Sequence, residues 1–415
     1  MDAPTGLSFG HIAYLTFESV LKVVIVSFAG FWCAYTGLLP KEGQKIISRI
    51  NVDLLTPCLI FSKLAKSLSM AKILEIAVIP VFFGLSLGVS FLSGKIMSRI
   101  LRLDKEETKF VVANSIFGNS NSLPVSLTVS LAYTLPGLLW DEIANDNRDN
   151  VASRGILYLL IFQQLGHVIR WSYGYNTLLR WSDDDRRQLP RPVSADQLNV
   201  TEPEMVEMDD SIGTSATSYS SVKQLRNFCM KVFYKIKSTM NPPLWSMVLS
   251  VMVASIHPIQ HELFSKDGFI NNTLSEAIFE LGAISIPLIL IVLGSNLYPS
   301  KDTPQKTHNY NKMILGSIVG RMILPSCFML PIIAVCVKYI RVSILDDPIF
   351  LVVGFILTVS PPAIQLTQIT QLNEFFESEM AGVLFWGYVV LSLPVSITVV
   401  SAAMTVLEWA RESNM

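Results

Sequence analysis

Two stretches of the chain set polar side chains among apolar ones. GNSNSLPVSL, residues 118–127, lies in the apolar run 107–135, and SPPAIQLTQITQL, residues 360–372, lies in the apolar run 350–373. Asn119, Ser120, Asn121 and Ser122 in the first, and Ser360, Gln365, Thr367, Gln368 and Gln371 in the second, are uncharged hydrogen-bonding groups. Pro124, Pro361 and Pro362 each remove a backbone donor and break a regular helix, while Gly118 adds backbone freedom. In hydrocarbon the freed N–H and C=O groups are costly unless they face protein or a water-filled cavity. Both segments must therefore line something. A helix that restarts after such a break presents unpaired N–H groups and a partial positive charge near mid-membrane, and Asn and Ser are residues that cap such an end. Two such ends aimed at one point would hold an anion that needs no protein countercharge. Two proline kinks bonded to neighbouring helices are the plainer alternative; their matching positions in two halves of the chain favour a site.

The elements that hold these segments are membrane helices. The chain has 415 residues, 51% hydrophobic and 16% charged, with a mean hydropathy of +0.45, the balance of a polytopic membrane protein. A net charge of -1 gives no general basic surface, so nucleic acid is not an expected partner. Windows long enough to cross the hydrocarbon fall near 13–38, 46–68, 73–101, 107–135, 152–181, 243–264, 270–298, 309–339, 350–373 and 379–409. Residues 182–240 are polar, acidic and Ser/Thr-rich, and are expected to be a disordered loop. They separate a first five-helix half, 1–181, from a second, 241–415. Near 223–238 an apolar stripe predicts an amphipathic helix, lying either on the cytosolic leaflet or on the protein's own spans.

Lys41, Lys45, Arg49, Lys95, Arg99, Arg102, Lys105, Lys109, Lys301, Lys306 and Lys312 follow spans 1, 3 and 7. The positive-inside rule then puts the central loop in the cytosol and both termini outside or in a lumen. An odd number of spans per half inverts the second half relative to the first. Pro57 in span 2 matches Pro287 in span 7, and the two polar breaks fall in spans 4 and 9, the pattern of an inverted-repeat transporter.

Other polar residues admit two readings each. Asp53, before Pro57, either faces the site from span 2 or pairs with Arg49 or Lys63. Gln163 and Gln164 in span 5 put amides where an ion-coupled exchanger would carry carboxylates, and His167 either titrates or hydrogen-bonds a neighbour. Arg321 in span 8 either senses the substrate's charge or is held by carbonyls and carboxylates. The five cysteines form neither a disulfide framework nor a zinc site. Neither a Walker A loop nor an HExxH or GxSxG motif is present, so no cofactor and no enzymatic role are expected.

VLKVVIVSFAGFWCAYTGLLPKEGQKIISRINVDLLTPCLIFSKLAKSLS, residues 20–69, resembles the first two spans of the auxin efflux carrier family. GNSNSLPVSL and SPPAIQLTQITQL resemble the two crossover motifs of its PIN-LIKES and fungal branch. The resemblance covers nearly all of the chain apart from the central loop. It implies an all-α polytopic fold of the bile-acid-symporter or NhaA kind: ten transmembrane helices in two inverted five-helix repeats, with broken helices 4 and 9 crossing. It further implies a scaffold of spans 1, 2, 6 and 7 beside a moving transport domain, in membrane lipid and often as a homodimer. The span-4 motif differs from that of plasma-membrane PIN carriers, and their central loop is usually longer, which favours the endoplasmic reticulum. The expected function is secondary transport of a small organic anion such as an indole carboxylate. The alternatives are a sodium-coupled organic-anion symporter and a receptor or scaffold that binds without transporting.

Overall fold

The computed structural model describes residues 9–67, 78–120, 122–134, 138–140, 146–182, 240–265, 268–298, 307–339 and 347–392, with 394, 395 and 398 beyond them. The expected central loop and the amphipathic stretch 223–238 lie outside the described residues. Residues 1–180 and 241–415 form one packed unit, and residues 181–240 a second.

Among the described residues the regular structure is helical. The first half supplies α1 (Phe9–Tyr35), α2 (Lys41–Ile50), α3 (Thr56–Ser67), α4 (Val78–Ile100), α5 (Lys105–Ile116), α6 (Ser122–Thr134) and α7 (Arg148–Ile169). The second supplies α8 (Pro242–Ser255), α9 (His257–Phe264), α10 (Glu276–Leu297), α11 (Tyr310–Ile318), α12 (Leu324–Tyr339), α13 (Pro348–Val359), α14 (Leu366–Leu372) and α15 (Glu377–Phe385). Wider π-helical turns occupy Asn51–Leu55, Arg170–Leu178, Asn271–Ser275, Val319–Ile323 and Trp386–Leu391. Such turns insert a residue into the helical repeat and redirect the side chains that follow.

Local chemistry sets the helix starts. Asp104 and Glu107 form a reciprocal capping box at α5, and Asp347 caps α13, with Pro348 in its first turn where no N–H is needed. Among the described residues three stretches, Ile79–Ile100, Asn271–Leu297 and Tyr310–Ile333, are long and apolar enough to cross a membrane, or four with α8 and α9 counted together. That pair fills the span expected over 243–264 and bends by 104° at Ile256. The cause is His257-Pro258: the proline cannot donate back into α8, so a new helix starts with it in its first turn.

Large apolar residues face outward, as lipid requires. On α1 alone Ile25 is 59% exposed and Phe28 60%, a surface that water would not tolerate over such an extent. α1 packs on α10, and α3 on both α8 and α10. α5 packs against α4 and α11, and α6 against α7 and α13. Leu127, Leu131, Tyr158, Leu159, Phe350 and Phe355 form part of the core of this second group. Lys41 and Lys45 on α2 reach across to Glu377 (2.6 Å) and Glu374.

α1 and α10 meet at glycine. A Cβ on Gly30 would lie 2.6 Å from the Ile291 carbonyl carbon, and one on Gly294 would lie 2.9 Å from the Ser27 Cα. Both collisions are with backbone, which cannot rotate away. Gly294→Val should therefore cost at least about 3 kcal/mol, the upper end of over-packing penalties. The check is its melting temperature and monodispersity beside Ala283→Val on the same helix; an unchanged Gly294→Val would contradict the contact.

Candidate functional site

The two polar stretches meet. α5 stops at Ile116 and its continuation α6 starts at Ser122, while α13 stops at Val359 and α14 starts at Leu366. Between them the chains cross as a short antiparallel bridge at Gly118 and Pro362. Asn119 N donates to Pro361 O at 2.8 Å, and Ala363 N donates to Phe117 O at 2.8 Å. Each break thus supplies partners for the other's freed backbone groups. Ser360 is extended (φ -58°, ψ 138°) because a proline follows it and disfavours helical geometry. Gly118 is needed for close approach: a Cβ there would sit 2.7 Å from Arg321 Nε and closer still to its Cζ and Nη2.

Two buried arginines serve this crossing. Arg321 donates from Nε to Ser360 O (3.0 Å), from Nη1 to Ser115 O (3.2 Å), and from Nη2 to Leu357 O (2.8 Å) and Ser360 Oγ (3.0 Å). It ties together the last turns of α5 and α13, whose carbonyls carry partial negative charge. Of its two sequence readings, the structure gives the carbonyl-held one. Arg170 donates to Gln365 Oε1 and, at 3.3 Å, to Gly118 O. Its Nε has no partner among the described residues. Neither arginine has an ion-pair partner among the described residues. Tyr388 donates to Pro362 O at 3.1 Å and also bonds Asn119. Arg170, Arg321 and Tyr388 all stand in π-helical turns. Two guanidinium groups are thus built into the crossing, where the sequence reading placed no protein countercharge.

Asn119, Ser120, Ser360, Pro361, Pro362 and Gln365 are brought together at the crossing, all buried. Asn121 lies outside the described residues, and Ser122 begins α6. Gln368 stands in α14, buried, with neither end of its amide partnered among the described residues. Pro124 is the third residue of α6, where its missing N–H is one that a first turn leaves unpaired anyway. It starts the second half-helix instead of breaking the first, a correction to its expected role. Asp53 is not brought to the crossing: it is half-exposed in its π-helical turn, 3.7 Å from Arg49.

Two clefts flank the bridge. One is lined by Asn119, Ser120, His167, Arg170, Ile289 and Gln365 among others, and so lies between the crossing and α10. The other reaches Phe83, Phe162 and Arg321. Away from them, Arg154 bridges Asp146 (2.9 Å) and Asp347 (2.8 Å), and Tyr158 donates to Asp347 at 2.8 Å. This fixes the start of α13 to α7. The Arg154 bond holds the Asp146 carboxyl below the usual carboxylate range, whereas burial pushes that of Asp347 up. Arg170 escaped the sequence reading although an arginine in an apolar span is a default suspect; it stands at the far end of span 5 among Trp171, Tyr173 and Tyr175, where it passes for an interfacial residue.

The profile described as "Membrane transport protein" matches residues 15–399. "Uncharacterized transporter YBR287W" of Saccharomyces cerevisiae is 66% identical, over 97% of this chain and 98% of its own length. "Uncharacterized transporter C5D6.04" of Schizosaccharomyces pombe is 34% identical over 95% and 96%. "Protein PIN-LIKES 1" of Arabidopsis thaliana is 24% identical over 92% and 76%. With its paired broken helices and apolar exterior, the chain is an integral membrane protein of the auxin efflux carrier family, related to fungal transporters and plant PIN-LIKES proteins.

Proposed function

We propose that the protein is a secondary carrier of a small organic anion, an aromatic carboxylate of the indole-acid kind, bound in the cleft between the helix crossing and α10. The observation that carries this reading is Arg170: a buried guanidinium on the cleft wall that has, among the described residues, only neutral partners and an unpartnered Nε. A cation held in such surroundings is costly, and an arriving carboxylate offsets that cost. Ile286 and Ile289 of α10 offer an apolar wall for the body of the ligand.

The packing is compatible with movement: α1, α3, α8 and α10 pack on one another, and the crossing helices belong to a second group that touches the first through α6 on α1 and through α14 and α15 on α10. Sliding that group past α10 would expose the cleft alternately to the two sides. Two inverted five-helix repeats fit this motion, and π-helical turns in spans 2 and 7 and in spans 5 and 10 support the correspondence. The reading includes a cytosolic central loop, residence in the endoplasmic reticulum, and a homodimer in lipid.

Indole-3-acetate is expected to bind the purified protein at least about tenfold more tightly than indole-3-acetamide, roughly 1.4 kcal/mol for the charge. Its binding should be unchanged when sodium is replaced by potassium, because Gln163 and His167, not carboxylates, line the cleft. Equal affinity for acid and amide would return the crossing to a packing role. Strict sodium dependence would point to a sodium symporter.

A further inference from the structure

His167 stands on the same cleft one turn before Arg170, 2% exposed. It bonds Gln365 through its side chain, and Nδ1 has no partner among the described residues. Gln365 Oε1 already accepts from Arg170, and because the His167–Gln365 bond is of the kind that favours the protonated ring, we assign the same amide oxygen as its acceptor. With Nε2–H donating to that oxygen, the neutral imidazole carries its lone pair on Nδ1. A buried basic nitrogen on the cleft wall is thus left without a donor.

The charged and titratable groups around it are all basic or phenolic. Arg170 bears on His167 from its own helix and Lys63 from α3. Arg321 and Tyr388, from two further elements, bear on Arg170. No carboxylate bears on His167 among the described residues. A proton on Nδ1 would place a third positive charge beside Arg170 and Lys63. An anion in the cleft supplies the opposite charge that makes this favourable.

We propose that His167 is a proton-binding site linked to the anion site, so that the carrier takes up one proton from solution together with each anion and moves the two as a neutral pair. The inference rests on the anion reading of the cleft. The proton enters from the side to which the cleft is open, resides on Nδ1, and leaves with the anion on the other side; no covalent bond to the ligand forms. Linkage is reciprocal: if the anion strengthens proton binding, the proton strengthens anion binding by the same factor. Anion affinity is then highest at low pH, and falls as pH rises through the proton affinity of the loaded site.

The test is calorimetric titration of the full-length protein with indole-3-acetate, repeated in phosphate and in Tris, whose ionisation enthalpies differ widely. This ligand is fully ionised near neutral pH, so any buffer-dependent heat counts protons taken up by the protein. The expected result is uptake of up to about one proton per anion, with affinity falling about tenfold per pH unit on the alkaline side. In His167→Gln the uptake should vanish and the affinity should become flat with pH. Anion binding with identical heats in both buffers and flat affinity would overturn the proton site while leaving the anion site standing. Persistence of the uptake in His167→Gln would also overturn it. Absence of any anion binding would overturn both. The buffer comparison on the unmodified protein decides the matter even if the variant fails to fold.

Discussion

On the proposed function, Arg170→Gln is expected to lower the affinity for indole-3-acetate by roughly 10- to 150-fold, the 1.5–3 kcal/mol that a hydrogen bond to a charged group contributes, and to leave the affinity for indole-3-acetamide nearly unchanged. Arg170 is 3% exposed and lines both clefts. Its bonds to Gly118 O and Gln365 Oε1 leave the guanidinium's charge uncompensated. Glutamine keeps a donor for one of these oxygens and removes the charge, so the acid should suffer selectively. Arg170→Lys should restore only part of the affinity, because an ammonium lacks the planar fork that bonds two acceptors and a carboxylate together. The measurement is the affinity for acid and amide in all three proteins. Equal losses for both ligands would show that Arg170 merely holds the crossing together.

Arg321→Ala has the opposite signature: a large loss of stability. Its guanidinium is the donor to Ser115 O, Leu357 O and Ser360 O, at the ends of two half-helices buried away from water. Leu357 O keeps the Ser360 hydroxyl as a donor, whereas Ser115 O and Ser360 O lose the arginine's at about 1–3 kcal/mol each, a sum of several kcal/mol that should lower the melting temperature sharply. Gly118→Ala strikes the same guanidinium from the other side, since its new Cβ would occupy that volume. The two changes should not add. Once Arg321 is gone, the three atoms nearest the alanine's Cβ at 118 are gone with it, and the double variant should melt close to Arg321→Ala. Thermal melting of both single variants and the double variant measures this. Full additivity, or a wild-type melting temperature for Arg321→Ala with lost anion binding, would move Arg321 from the frame into the ligand site.

The helices and the two breaks were legible in the sequence, because a membrane makes composition decisive. An apolar run must be helical in lipid, and a polar, proline-bearing interruption in such a run must face protein or water. Hence 118–127 and 360–372 stood out by residue type alone, and Ser360, Pro361 and Gln365 lie at the crossing with Asn119 and Ser120. Proline was the least dependable guide, since its effect depends on its place in a turn. Pro124 starts a helix, Pro361 and Pro362 lie between helices, and Pro258 bends a stretch that composition alone makes straight.

Tertiary structure alone decided which charges belong to the site. Asp53, Arg170 and Arg321 are single charges in or beside apolar runs, and composition treats them alike. Asp53 faces outward beside Arg49, whereas Arg170 and Arg321 converge from two separate spans on one bridge of backbone. Arg170 opens one π-helical turn and Arg321 stands inside another, where an added residue breaks the regular helical repeat. No residue type marks such a turn, so the direction of a side chain beyond it cannot be read from spacing. The amino-acid sequence determined that two helices must break and that something polar must meet there; the packing of separate spans determined that what meets them is positive charge, because only folded neighbours can supply the carbonyls that keep a guanidinium buried.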